Sequence, residues 1–332
     1  MFKNNKFQMN YETLLNVKLP ISRFVLGTAF MPMFLGDSGA AFSILDAAYN
    51  MGINTFDTAR MYGEAERILG DWLEKHKNRE DIIILTKGCN PTREEPHRCT
   101  PEALREDIEC SFKMLRTDYI DIYLLHRDDP SASVAPIVEI LNEYHAAGKI
   151  GAFGGSNWTT ERIEEANTYA CAKGMIPFTV SEPCFSLAEQ IGDPWGGSIH
   201  ISGPHGVPAR NWYKEKNMPI FAYSSLARGF LSGKYHADDF NTKASDIPYG
   251  MLDEYYFPDN IERLRRCEQL AKNYGVTVPE VALAWELKQP LRIFPIISPS
   301  RVEHLEKNLF ALDLKLTDEE CLWLDLKLEA PG

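Results

Sequence analysis

The chain has 332 residues, 44% of them hydrophobic, enough for a large core in one or two domains. A formal charge of −12 and a pI near 5.2 weigh against nucleic-acid and anionic-membrane partners, which are drawn to clustered Lys and Arg. Seven scattered cysteines, odd in number and without C-x-x-C spacing, support neither a disulfide framework nor a zinc site, and the N-terminus lacks the apolar core of a signal peptide, so a cytoplasmic protein is expected.

A small hairpin is expected at residues 8–20, and after it short β-rich runs alternate with longer amphipathic stretches. Strands are predicted at 24–27, 54–56, 82–86, 120–125, 150–153, 178–180, 220–223 and 293–297. Continuous apolar runs such as IIIL and IDIYLL suit parallel strands buried on both faces. Helices are predicted at 65–76, 101–115, 137–147, 160–173 and 260–274, with Thr100 and Pro101 as cap and first residue of one and Gly148 ending another. About eight alternations without a linker point to one α/β domain over 1–332, a (β/α)8 TIM barrel whose floor the hairpin covers. The rival, a doubly wound sheet, lacks its G-x-G-x-x-G: after the first strand the chain reads LGTAFMPMFLGDSG.

In a barrel the C-terminal ends of the strands converge on one pit. Asp57 and Tyr62 follow the second strand, Lys87 ends the third and His126 the fourth. A phenol ionises near pH 10 in water, and a neighbouring lysine is expected to lower that value while Asp57 holds the lysine in place. A neutral His126 then polarises a carbonyl, and a redox reaction needs a nicotinamide cofactor because none of the four is a hydride source. Singly these residues have structural readings as a cap, core packing or a solvent-facing lysine; jointly, at one end of consecutive strands, they point to proton transfer to a carbonyl. The kinase-like tripeptide His126-Arg127-Asp128 lacks the asparagine that catalytic loop requires, and His200 and His205 have no third ligand at metal spacing, so no metal is expected.

The segments FDTARMYG, ILTKG, DYIDIYLLHR, GGSNW, FAYSSLARGFLSGK and EHLEKNLFALDLKLT, in this order, give a sequence that resembles the aldo-keto reductase superfamily over essentially its whole length. The resemblance implies an NAD(P)H-dependent oxidoreductase that reduces an aldehyde or ketone, with Asp57, Tyr62, Lys87 and His126 as catalytic tetrad and Tyr62 as general acid. It places Ser156 and Asn157 on the nicotinamide carboxamide and Phe185 on the nicotinamide ring, with Thr28 and Asp57 also at the cofactor. Tyr223 to Arg228, including Ser224 and Leu226, corresponds to the pyrophosphate strap, and Ser298, Ser300, Arg301, His304 and Asn308 to the adenosine pocket.

Two departures stand out. Glu182 replaces a glutamine common in the family, and Ser298, Ser300 and His304 stand where Arg or Lys often clamp a 2′-phosphate; the resemblance implies NADPH ahead of NADH, and these departures leave NADH open. Arg127, Trp158 and Trp195 are the expected substrate contacts, and a long loop at 186–213 is expected over the mouth, shaping a polyol or sugar-like pocket. For Arg127 a salt bridge with Asp128 or Asp129 is an equal alternative. A cofactor-binding regulatory or scaffold protein of the same fold is the competing function; oligomeric state is left open.

Overall fold

The computed structural model describes residues 8–193, 195–242 and 249–330. Strands β1 (Tyr11–Glu12) and β2 (Ile21–Ser22) form an antiparallel hairpin, a few residues beyond the expected 8–20. Eight strands follow: β3 (Val25–Gly27), β4 (Thr55–Asp57), β5 (Ile83–Gly88), β6 (Ile120–Leu125), β7 (Ile150–Ser156), β8 (Val180–Glu182), β9 (Ile220–Ala222) and β10 (Ile293–Ile297). They pair in parallel in chain order, and β10 returns to β3, closing a (β/α)8 barrel.

Helices run between the strands, among them Ala65–His76 and Pro101–Leu115 at the predicted bounds and Val134–Ala146, Thr160–Ala172 and Pro258–Tyr274 near them. Capping chemistry explains the sharp starts. The Thr100 hydroxyl accepts from the Ala103 amide at 3.2 Å with Pro101 as first residue, and Thr277 with Glu280 closes a capping box ahead of Val278–Lys288. No described helix is long and apolar enough to cross a membrane.

Side chains alternate across each strand, so every strand feeds two cores. Val25, Ile83, Leu85, Ile122, Leu124, Ala152, Val180, Phe221, Phe294 and Ile296 fill the barrel, and Leu14 and Ile21 of the hairpin region plug it from below. The intervening residues, such as Leu26, Phe56, Ile84, Leu125 and Phe153, pack outward against the helices. Each fully buried aliphatic side chain contributes about 1.5–3 kcal/mol, so the two layers together impose the inward and outward sense of every strand.

That sense carries the chemistry upward. Continuing the inner rows by two residues leads from Thr55 to Asp57, Leu85 to Lys87, Leu124 to His126, Val180 to Glu182 and Phe221 to Tyr223. Strands β4, β5, β7 and β8 extend further toward their C-terminal ends than the apolar runs predict, because ladder pairing continues past the last hydrophobic residue: Asp57 pairs with Leu85, Lys87 with Leu124 and Ser156 with Glu182. The loop expected at 186–213 ends sooner, at the helix Val207–Lys216, where buried Tyr213 shares a hydrogen bond with the Ser181 hydroxyl at 2.8 Å.

Candidate active site

Lys87 is the hub of the mouth. Wholly buried on β5, its ammonium pairs with Asp57 of β4, donates to the Thr58 carbonyl at 3.0 Å and lies 3.2 Å from Glu182 Oε1 on β8. The same nitrogen stands 5.3 Å from the centroid of the Tyr62 ring. Tyr62 is carried by the turn after β4, where its amide donates to the Ala59 carbonyl at 3.0 Å and its ring packs 5.8 Å from Phe34. His126, buried beyond β6, donates its amide to the Gly88 carbonyl at 2.7 Å and meets the Tyr62 ring edge-on at 5.6 Å. The four residues expected to act together do meet.

Their charge states follow from burial. Burial, with Lys87 and Arg127 adding repulsion, holds His126 well below the usual imidazole range, so it is a neutral ring. For Tyr62 the outcome differs from the expectation of a lowered phenol. Lys87 does pull it down, but burial pushes it up more strongly, aided by Asp57 and Glu182, and the resting group is a protonated phenol. Burial alone would lower Lys87, yet Asp57 and Glu182 together hold it protonated.

Glu182 is the least ordinary member. Burial, then Asp57, pushes it from 4.5 up to about 8 against the pull of Lys87. Near neutrality it is largely a carboxylic acid, able to donate as well as accept, as a glutamine amide does. Its Oε2 is buried without a partner. A carboxyl whose folded value lies above its unfolded value stabilises the protein fully below about 4.5, and that stability is lost as pH rises through about 8. The Glu182→Gln protein has no such proton to lose, so its denaturation midpoint should stay flatter than wild type from about pH 5 to pH 9. Parallel curves for the two proteins would remove Glu182 from this account.

Around the cluster, Ser156 donates to the Glu182 carbonyl at 3.0 Å. Asn157, in left-handed backbone, gives its amide hydrogens to the His126 carbonyl and the Ser156 hydroxyl, and its oxygen accepts from the Ile199 amide at 3.1 Å and the Tyr223 hydroxyl at 2.7 Å. That side chain ties β7, the loop over the mouth and β9 together. Thr28, buried after β3, donates its amide to the Asp57 carbonyl at 2.8 Å while its hydroxyl has no partner. In the segment after β9, Ser224, Ala227 and Arg228 all hold positive φ, a conformation rarely adopted by non-glycine residues, and such turns cluster at sites that grip ligands. Arg228 pairs with Glu254, and its guanidinium lies 4.7 Å from the Trp195 ring, so the loop is fastened over this strap.

A family model described as "Aldo/keto reductase family" matches residues 37–328. The chain belongs to the aldo/keto reductase family. Among its curated relatives, "Aldo-keto reductase str7" of Strobilurus tenacellus is 29% identical over 84% of this chain and 78% of its own. "Norsolorinic acid reductase" of Aspergillus flavus is 28% identical over 87% of this chain and 71% of its own. "Aldo-keto reductase yakc [NADP(+)]" of Schizosaccharomyces pombe is 30% identical over 83% and 78%.

Two expected contacts lie elsewhere in this aldo/keto reductase. Phe185 is 1% exposed, its ring 5.6 Å from Trp285 of the helix Val278–Lys288, behind the barrel wall and not over the mouth. Tyr223, after β9, faces the mouth instead, half-buried against the inner core and held by Asn157. Trp158 is also 1% exposed, packed on Phe178 at 5.2 Å, and a Cβ on Gly155 would come within 2.4 Å of it. It is a wall of the outer core, and the substrate role expected of it does not fit. Trp195, by contrast, is half-exposed, 6.3 Å from the Tyr223 ring.

At the far end of the mouth, Ser298 is exposed beyond β10, its hydroxyl oxygen 2.4 Å from where a Cβ on Gly27 would stand. His304 accepts from the Arg301 guanidinium at 2.8 Å and lies 3.3 Å from the Ser300 hydroxyl, at the start of the helix Val302–Leu309. Asn308 is buried on that helix, and Leu226 of the strap packs against the outer core. Sequence reading missed Phe34 beside Tyr62: it lies in a short helix, Met31–Leu35, that no periodic pattern announces.

Proposed function

We propose that the protein reduces an aldehyde or ketone to an alcohol with a nicotinamide coenzyme, NADPH ahead of NADH, and that Tyr62 gives the proton. The observation that carries this reading is the closed cluster in which Lys87, held by Asp57, lies beside the Tyr62 ring while neutral His126 meets that ring edge-on. The residues around it fit the coenzyme: the Thr28 hydroxyl and Glu182 Oε2 are buried polar atoms without partners, and the strained strap at Ser224 to Arg228 suits a diphosphate. When bound, that coenzyme supplies hydride to the carbonyl carbon.

The protein's own groups handle the oxygen. His126 donates a hydrogen bond as negative charge grows there, and the Tyr62 hydroxyl delivers the proton. Lys87 then stabilises the phenolate left behind, and Asp57 keeps Lys87 in position. Tyr223 offers its ring face where the sequence had assigned Phe185. Ser300, Arg301 and His304, at a helix N-terminus, suit an additional phosphate, which favours NADPH; the S. pombe relative carries NADP(+) in its name. Free cysteines suit a reducing, cytoplasmic setting.

Fluorescence titration with NADPH and NADH, followed by turnover of simple aldehydes, tests the reading. Saturable binding, tighter for NADPH, with aldehyde-dependent coenzyme oxidation is expected. Failure to bind either nucleotide would refute it.

A further inference from the structure

Arg127 stands directly after His126, and its sequence neighbours offered it two salt-bridge partners. Neither is available to it. Both oxygens of Asp128 are engaged by Arg162, at 2.9 and 3.2 Å, and Asp129 accepts from the Ser131 amide and hydroxyl and pairs with His97 at 2.8 Å. Asp57 and Glu182, the acids of the mouth, are both within ion-pair distance of Lys87. Among the described residues Arg127 makes no ion pair, and its Nη1 is completely buried with no hydrogen-bond partner.

An arginine keeps its charge, so this donor is a standing cost unless something else meets it. Its position says what that is. The charge of Arg127 acts on Tyr62, His126, Glu182 and Tyr223, which come from β4, β6, β8 and β9. These strand ends lie on different walls of the barrel, and Arg127, two residues past the end of β6 with its Nη1 buried and unpartnered, lies among them at the mouth. Its fork of N–H groups matches an oxyanion in two-point contact.

We propose that Arg127 binds an anionic group of the substrate, so that the preferred substrates are carbonyl compounds carrying a carboxylate or a phosphate at the end away from the reacting carbon. This rests on the reductase reading for its chemistry, but not for the existence of the anion site. The contact would anchor the end of the molecule that does not react and point the carbonyl at Tyr62. It also gives a reason for a lone, half-buried arginine in a chain whose net charge is −12.

The test compares two matched pairs, 4-carboxybenzaldehyde against 4-methylbenzaldehyde and glyceraldehyde 3-phosphate against glyceraldehyde, in wild type and Arg127→Met. Comparing the ratio within each pair between the two proteins cancels intrinsic aldehyde reactivity. In the wild type the charged member is expected to have the higher kcat/KM in at least one pair, and Arg127→Met should lower that preference by roughly 10- to 100-fold, the scale of a charge-assisted contact. The pair that responds tells carboxylate from phosphate. Arg127→Lys should restore part of the preference, since it keeps the charge and loses the fork.

Equal loss for both members of each pair, with weaker NADPH binding, would assign Arg127 to the coenzyme and overturn the proposal. So would an unchanged preference. Should no aldehyde turn over at all, the reductase reading fails while the site is still tested: benzoate and inorganic phosphate are titrated calorimetrically into wild type and Arg127→Met. Saturable binding of one anion that the variant loses supports the site; no binding, or binding equal in the two proteins, overturns it.

Discussion

The Tyr62→Phe protein is expected to bind NADPH as wild type does and to lose carbonyl reduction by about 10²- to 10⁴-fold in kcat/KM, the usual worth of a positioned general acid. The reason is local. Tyr62 shares the mouth with a neutral His126 and a charged Lys87, and its hydroxyl, protonated at rest beside Lys87 and edge-on to His126, is the group placed to release a proton toward a developing alkoxide. Phenylalanine keeps the ring that packs 5.8 Å from Phe34 and 5.6 Å from His126, so the fold and the shape of the mouth persist. Steady-state NADPH oxidation alongside a coenzyme titration separates the two effects. Wild-type turnover in the variant would move the proton donor elsewhere, with Glu182 the next group to examine, since it too is protonated near neutrality.

A second large effect falls on stability. Replacing Lys87 with methionine leaves Asp57 and Glu182, 3% and 2% exposed, without the cation they share. Removing one partner of a buried ion pair costs about 3–5 kcal/mol, because the remaining charge is neither solvated nor neutralised. The sign with pH is fixed by the same carboxyls. Both have folded values raised above their unfolded ones by burial, and without the pull of Lys87 both rise further. Protonated, they cost little, so the deficit of the Lys87→Met protein should be smallest near pH 5 and grow as pH rises toward about 8. Guanidinium denaturation at the two pH values reads this directly, and adding Asp57→Asn should recover part of the loss at the higher pH. A deficit of one size at both pH values would mean that a cavity, and not buried charge, is responsible.

The barrel was legible because its code is local. Runs such as IIIL and IDIYLL name buried parallel strands, Thr100-Pro101 starts a helix where the structure starts one, and the order of the alternations dictates closure. The meeting of Asp57, Lys87 and His126 at the mouth was legible for the same reason. Asp57, Lys87 and His126 lie two residues beyond the inward-facing Thr55, Leu85 and Leu124, so period-two alternation carries their side chains into the barrel mouth without any long-range knowledge.

Alternation stops where the strands stop, and there the sequence by itself determined less. Phe185 and Trp158 sit past the ends of β8 and β7, and packing against Trp285 and Phe178 turned both outward, while Tyr223 after β9 faces the mouth. Glu182 meets Lys87 across the barrel lumen from a strand three places along the sheet, a contact that depends on closure, as does the burial near Asp57 that raises the acid to about 8 against the pull of Lys87. Arg127 had acids beside it in the chain, yet Arg162 and His97, from other elements, took them. Composition and periodicity thus determined the fold and the ring of groups at its mouth; which side chains share a proton, face the cavity or stand unpaired was decided by the closed tertiary structure, because electrostatic partnership depends on distance in space and not on distance along the chain.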